Sequence, residues 1–267
     1  MPTRDEPVDI VSDGQAIRGT IVAPNRRLPG VLFVHGWGGS QEQYLTRARE
    51  VAALGCVCLT FDLRGHVETH RQKEKVSRED NLHDVLAAYD FLMRQRSIDP
   101  DRIAVVGSSY GGYLAAILTS MRPVRWLALR VPALYKDSEW TVPKGHLKSA
   151  QHLEDYRRRP VRPEESRALR ACAAFEGDVL IVESEHDTVV PHQVIVNYRE
   201  ACARAHSLTY RVMHGADHGL SEPRCQQAYT SLLVNWLAEM ALGNKPTLEV
   251  APPEPEHTHR RATSQPA

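Results

Sequence analysis

The chain carries no excess charge of either sign: across 267 residues Lys and Arg total 33, and Asp and Glu total 33. That balance argues against a polyanion or an anionic membrane surface as partner, so neither nucleic acid nor membrane is expected. No apolar run approaches the ~20 residues needed to cross a bilayer. The opening stretch, Met1-Pro2-Thr3-Arg4-Asp5-Glu6-Pro7, is polar and lacks the apolar h-region of a signal peptide. Cysteines are few, five at irregular spacing. Several fall inside expected strands or helices, which suits reduced core residues rather than a disulfide framework. No internal repeat and no linker marks a second domain. These absences leave a soluble cytoplasmic protein of one domain as the expectation, with its oligomeric state open.

What is present is an alternation of strands and helices. Residues 8–12 and 17–22 alternate around Ser12-Asp13-Gly14-Gln15, as an antiparallel hairpin does. Val31-Leu32-Phe33-Val34 is a continuous apolar run, the mark of a strand covered on both faces. It ends in His35-Gly36-Trp37-Gly38-Gly39, after which Ser40 can cap a helix that Gly55 stops. Further strands are expected over 56–61, 102–106, 124–131, 179–183 and 208–213, with helices between them and a last helix to about residue 242. Residues 132–163 lose the pattern and read as a small insertion or cap over the strand ends, where open α/β sheets bind ligands. Residues 243–267 are rich in Pro, Glu and His without periodicity and read as a disordered tail. The fold expected over 1–242 is α/β: about eight strands, mostly parallel after an antiparallel start, with helices on both faces.

The chemistry centres on Gly107-Ser108-Ser109-Tyr110-Gly111, a G-x-S-x-G between a strand and a helix. A strained turn there lifts a serine hydroxyl off the sheet, and the flanking glycines admit neighbouring backbone. Serine needs a base, and the base an orienting acid, in the chain order Ser, acid, His and just past strand ends. Asp187 and His218 satisfy the order and the position. Glu183 and Glu185 are alternatives for the acid, and His186 and His214 for the base. The oxyanion of a tetrahedral intermediate needs backbone donors. Tyr110, following the serine, offers one, and Trp37 in the glycine-rich loop offers the other.

These motifs together resemble the α/β-hydrolases, close to compact serine esterases and to dienelactone-hydrolase-like or prolyl-oligopeptidase-like members. The resemblance runs from about residue 8 to 242. Its pieces are His35-Gly36-Trp37-Gly38-Gly39, Asp62-Leu63-Arg64-Gly65-His66, Gly107-Ser108-Ser109-Tyr110-Gly111-Gly112, Asp187-Thr188-Val189-Val190-Pro191 and Gly215-Ala216-Asp217-His218. It implies Ser109 as nucleophile, His218 as base, Asp187 as orienter, and Trp37 and Tyr110 as the oxyanion hole. It also implies a structural pair at Asp62 and Arg64. Two positions depart from the family's habit. Val67 stands where glycine often follows Arg-Gly-His, so another loop path is expected there, and Ser184 replaces a glycine before the acid loop.

His35, Tyr135 and Trp140 are candidates for the pocket wall, with His146 beside them; Tyr135, Trp140 and His146 equally fit residues that fasten the insertion to the sheet. His66 and His70 with Asp80 and His83 invite a zinc reading, but the spacing is not H-E-x-x-H and the stretch is a loop, so no metal is expected. Arg157-Arg158-Arg159 with Arg162 reads as a solvated helix end, with an encounter with an acidic substrate as the alternative. The expected function is a carboxylesterase-like serine hydrolase, without cofactor, acting on small-molecule esters of small or medium acyl groups. A thioesterase, peptidase or acyltransferase on the same triad, or a hydrolase-shaped binding protein without turnover, are the alternatives.

Overall fold

A computed structural model describes residues 4–23, 28–143, 146 and 150–242. Strands β1 (Arg4–Ser12) and β2 (Gln15–Ala23) form the expected hairpin. Asp13 and Gly14 at its tip both take positive φ, 48° and 74°, the type I′ geometry that Asp-Gly favours. The chain continues through β3 (Leu28–Val34), α1 (Glu42–Ala53), β4 (Val57–Phe61), α2 (Arg78–Met93), β5 (Ile98–Ser108) and α3 (Tyr110–Leu118). Then come β6 (Trp126–Arg130), α4 (Ala150–Arg157), α5 (Arg167–Ala174), β7 (Asp178–His186), α6 (His192–Ala201), β8 (Ser207–Asp217) and α7 (Pro223–Leu242).

One eight-stranded sheet has the order β1-β2-β4-β3-β5-β6-β7-β8. β2 meets β1 and β4 antiparallel, and every later pairing is parallel. The period of two along a strand divides the core between two faces. Val105, Leu127 and Ile181 join α2, α3, α5 and α6 on one side, while Val106, Ala128 and Val182 join α1 and α7 on the other. Burial on both faces is why these strands read as unbroken apolar runs.

Several local expectations shift. Helix α1 starts after Gln41 rather than Ser40, because Asp62 accepts from the Gln41 backbone N–H at 2.8 Å and from its side-chain amide at 3.1 Å. Arg157 is buried, not solvated. It donates from Nε to the Leu134 carbonyl at 2.9 Å and lies over the Tyr135 ring, while Arg158 and Arg159 stay exposed. All five cysteines are free and buried. Among the described residues no helix is long and apolar enough to cross a membrane. The tail expected over 243–267 lies outside the described residues.

Candidate active site

Strand β5 delivers Ser109 to the carboxyl edge of the sheet in a conformation that L-residues rarely take, φ 51° and ψ −117°. The turn is held from all sides. Ser109 N–H donates to the Arg130 carbonyl at 2.9 Å, and its own carbonyl accepts from Tyr113 and Ala133 N–H at 3.1 and 2.9 Å. Strain of this kind persists only where the surroundings over-determine it. Gly107 and Gly111 permit the turn by close approach. A Cβ on Gly107 would meet the Gly111 carbonyl oxygen at 2.5 Å, and one on Gly111 would meet that of Val34 at 2.1 Å.

Strands β7 and β8 bring two further loops to the same edge. Their parallel register slips after Ser184, and His186 then pairs with Asp217. The residues that follow, Asp187 and His218, are thereby neighbours. His218 Nδ1 and Asp187 Oδ2 lie 2.7 Å apart, and His218 Nε2 lies 3.0 Å from Ser109 Oγ. The other Asp187 oxygen accepts from Val189 and Val190 N–H at 2.8 Å each. Burial works to raise the Asp187 carboxyl. The hydrogen bonds from His218 and from the Val190 and Val189 N–H groups outweigh it, leaving the group below the usual carboxylate range. An imidazole so held can take a hydroxyl proton at one nitrogen while a carboxylate fixes the tautomer at the other.

The alternatives for acid and base have other partners. Glu183 accepts from His192 and from the Tyr210 hydroxyl. Glu185 accepts from Gly215 N–H at 2.7 Å and sits beside His214. His186 is exposed, with only Glu185 within ion-pair range among the described residues.

Trp37 lies in the glycine loop against the serine. A Cβ on Gly36 would come 3.5 Å from Ser109 Cβ. The Trp37 ring stands edge-on to Tyr110 and His66, with centroids 5.5 and 4.8 Å away. Tyr110 opens α3, and its buried hydroxyl donates to Asn81 at 3.0 Å. Backbone on both sides of Ser109 is fixed by this packing.

None of the three pocket-wall candidates lines the cleft beside Ser109 and His218, and Trp140 lines a separate cavity with Leu82, Ile117 and Arg167. His35 is buried, its Nδ1 2.8 Å from the Gly36 carbonyl and its Nε2 accepting from Leu63 N–H at 3.0 Å. Burial pushes its pKa down to about 4, so the ring is a neutral structural acceptor. Tyr135 is buried edge-on to Tyr110 and Tyr113. Trp140 donates to Glu79 and lies under Arg167.

Asp62 and Arg64 do not pair with each other. Asp62 holds Gln41, while Arg64 binds the buried Asp84 at 2.6 Å and Asp13 at 3.1 Å. Val67 does not turn the loop into an ordinary conformation. It takes φ 44°, a region open to glycine and strained for valine. Ser184 is buried in β7. The four zinc candidates are separately engaged. His66 faces the Leu63 and Arg64 carbonyls and His70 the Val67 carbonyl, while Asp80 binds Ser77 and His83 binds Asp13. Among the described residues no group of three His, Cys, Asp or Glu could hold a metal ion.

A cleft of about 300 Å³ opens beside Ser109 and His218, between the glycine loop and the start of α7. Its wall includes Gln43, Arg47, Arg130 and Tyr229, none of which the motifs point to. Arg130 had a readable signal, since it ends a strand at the edge where ligands bind. Arg47 sits on the polar stripe of an amphipathic helix, and only tertiary structure turns it towards the serine.

The prolyl oligopeptidase family matches residues 42–244. An uncharacterised protein of Mycobacterium tuberculosis is 26% identical over 214 residues, covering 80% of this chain and 71% of that protein. Dienelactone hydrolase from Anabaena variabilis superposes with a TM-score of 0.63 at 18% identity, covering 88% of this chain and 97% of its own. Acylaminoacyl peptidase from Pyrococcus horikoshii superposes at 0.68 and 17% identity, covering 92% of this chain and 43% of its own. At those identities the two structures speak for the fold alone, which is the α/β-hydrolase fold.

Proposed function

For a chain that belongs to the prolyl oligopeptidase family, and is a serine hydrolase of the α/β-hydrolase superfamily, we propose hydrolysis of carboxylic esters by a Ser109–His218–Asp187 triad. The observation that carries this reading is the hydrogen-bonded run from Ser109 Oγ through the His218 ring to Asp187, with steps of 3.0 and 2.7 Å. His218 Nε2 takes the Ser109 proton as Oγ bonds to the substrate carbonyl carbon. The carbonyl oxygen gains the negative charge and lies between the Trp37 and Tyr110 N–H groups, at the N-terminus of α3. Collapse breaks the bond to the leaving oxygen, which departs with the proton from His218. Water, deprotonated by the same imidazole, then attacks the acyl-enzyme and releases the acid and Ser109. The insertion after β6 is short, which suits small or medium acyl groups.

The same groups cleave amides, and membership of a peptidase family favours short peptides as the second reading. A fluorophosphonate probe tests the shared nucleophile. It is expected to modify Ser109 in the parent and nothing in Ser109→Ala, whose kcat on a nitrophenyl ester falls on the order of a million-fold. Parent-like hydrolysis by Ser109→Ala overturns the assignment.

A further inference from the structure

Two cations face the cleft with no acidic partner among the described residues. Arg47 and Arg130 lie over the same Tyr229 ring, 5.1 and 5.6 Å from its centroid. Arg130 is buried, donating from Nε to Ser108 Oγ at 3.2 Å and from a terminal nitrogen to the His218 carbonyl at 2.8 Å. Arg47 donates to the Gln43 carbonyl at 2.7 Å, and its Nε is buried without a hydrogen-bond partner among the described residues. Some other arginines are answered by carboxylates, Arg64 by Asp84, Arg122 by Asp90 and Arg159 by Glu165, while Arg78 and Arg157, which share the Tyr135 ring, donate to backbone carbonyls and lie away from this cleft. Among the described residues no Asp or Glu lines the cleft. Two like charges on one ring repel each other, and a desolvated guanidinium without a counter-charge is unfavourable. An anion between them would relieve both.

The side of the reaction follows from His218. Its Nε2 delivers the proton to the departing atom, so the leaving group lies against it. From His218 the wall continues through Gly219 and Leu220 to Tyr229 and the arginines. Resting on the serine-hydrolase reading above, we propose that this cleft selects substrates whose leaving half carries a carboxylate: esters of small hydroxy acids and, for amides, a C-terminal amino acid. The guanidinium fork suits a carboxylate, and a cleft of about 300 Å³ admits a small acid.

The test compares 3-acetoxybenzoate with 3-acetoxybenzamide, which share an acyl group and differ in charge at the far end of the leaving group. In the parent, kcat/KM for the acid is expected to exceed that for the amide by about tenfold or more, the worth of a charge-assisted bond. Arg47→Gln should bring the ratio close to one, Arg47→Lys should retain part of it, and Arg47→Glu should invert it. Because each ratio is taken within one protein, partial misfolding cancels. Equal rates on both esters in the parent, or an undiminished preference in Arg47→Gln, overturn the proposal.

Binding keeps the two readings apart. Ser109→Ala protein, titrated calorimetrically with each ester, should bind the acid about tenfold tighter, and the further change Arg47→Gln should abolish the difference. That outcome without fluorophosphonate labelling of the parent sinks the hydrolase reading and leaves a carboxylate-binding cleft. Labelling at Ser109 with no charge preference, in binding or in turnover, sinks only the cleft proposal.

Discussion

The Arg130 guanidinium reaches across the sheet edge and donates to the backbone carbonyl of His218 at 2.8 Å. Its Nε also binds the hydroxyl of Ser108, the neighbour of the serine. One side chain therefore ties the loop carrying the imidazole to the strand carrying the hydroxyl, two groups 109 positions apart in the chain. On the proposed triad, Arg130 would act on the reaction through His218, as a positioning residue. Arg130→Gln is expected to lower kcat on the neutral ester 3-acetoxybenzamide by about tenfold to a hundredfold, the scale at which small misplacements count. KM on that ester should change far less, and Arg130→Lys, which keeps one donor, should recover part of kcat. A variant with parent kcat on the neutral ester would remove the positioning role.

Ser109 itself stores backbone strain, with φ at 51°. Ser109→Ala and Ser109→Gly both delete the hydroxyl and its bond to His218, so their difference isolates the backbone. Holding a non-glycine residue in this region costs about 1–3 kcal/mol, and the greater freedom of glycine in the unfolded chain offsets about 0.5–1 kcal/mol of any relief. Ser109→Gly should thus be more stable than Ser109→Ala by about 1 kcal/mol, read from urea unfolding midpoints. Equal midpoints would mean the turn is unstrained.

The glycine two positions later acts through space rather than conformation. Its φ is ordinary, but a Cβ would stand 2.1 Å from the Val34 carbonyl oxygen and 2.5 Å from that of His35, both backbone atoms. Neither can move without shifting β3 and the Trp37 loop. Gly111→Ala is expected to lower stability by about 2–3 kcal/mol or more, as overpacking does, and to depress fluorophosphonate labelling even where the protein remains folded. Full stability and full labelling together would contradict the close approach.

How far the sequence could be read divides along physical lines. The sheet was legible because strands buried on both faces are continuous apolar runs, and the Ser109, Asp187 and His218 positions because their loops follow those runs. Side-chain partners across space were not. Nothing local says that Arg64 turns to Asp84 rather than Asp62, or that Arg47 meets Arg130 over Tyr229. Val67 falls between the two. Its departure from glycine is visible in the sequence, yet the chain keeps φ at 44° there and leaves the side chain 49% exposed. Val67→Asn, a residue that tolerates this region, should therefore raise stability by about 1 kcal/mol. Thermal melting checks this, and a lower melting temperature would show that the valine earns its place by packing.

His35 gives the fold a pH dependence of its own. In the unfolded chain its ring protonates near 6.5, but burial in the native protein pushes that down to about 4, where Nε2 must stay free to accept from Leu63 N–H. Between those values the unfolded state binds a proton that the folded state refuses, so stability falls as pH drops. The contribution is complete above pH 6.5, declines towards pH 4, and amounts to about 3 kcal/mol at most. Asp187 works lower on the scale. Its carboxyl is depressed below the usual 3.8, so its share is present above that value and is lost only as pH falls through the native one. The two are separable by window and by variant. In His35→Gln, whose amide oxygen can still accept from Leu63, the decline in unfolding free energy between pH 7 and 4.5 should shrink relative to the parent, while the loss below pH 4 should remain. Urea unfolding at stepped pH measures both. An unchanged slope between pH 7 and 4.5 would show that His35 takes up its proton over the same pH range folded and unfolded, and the bond from Leu63 would then need another description.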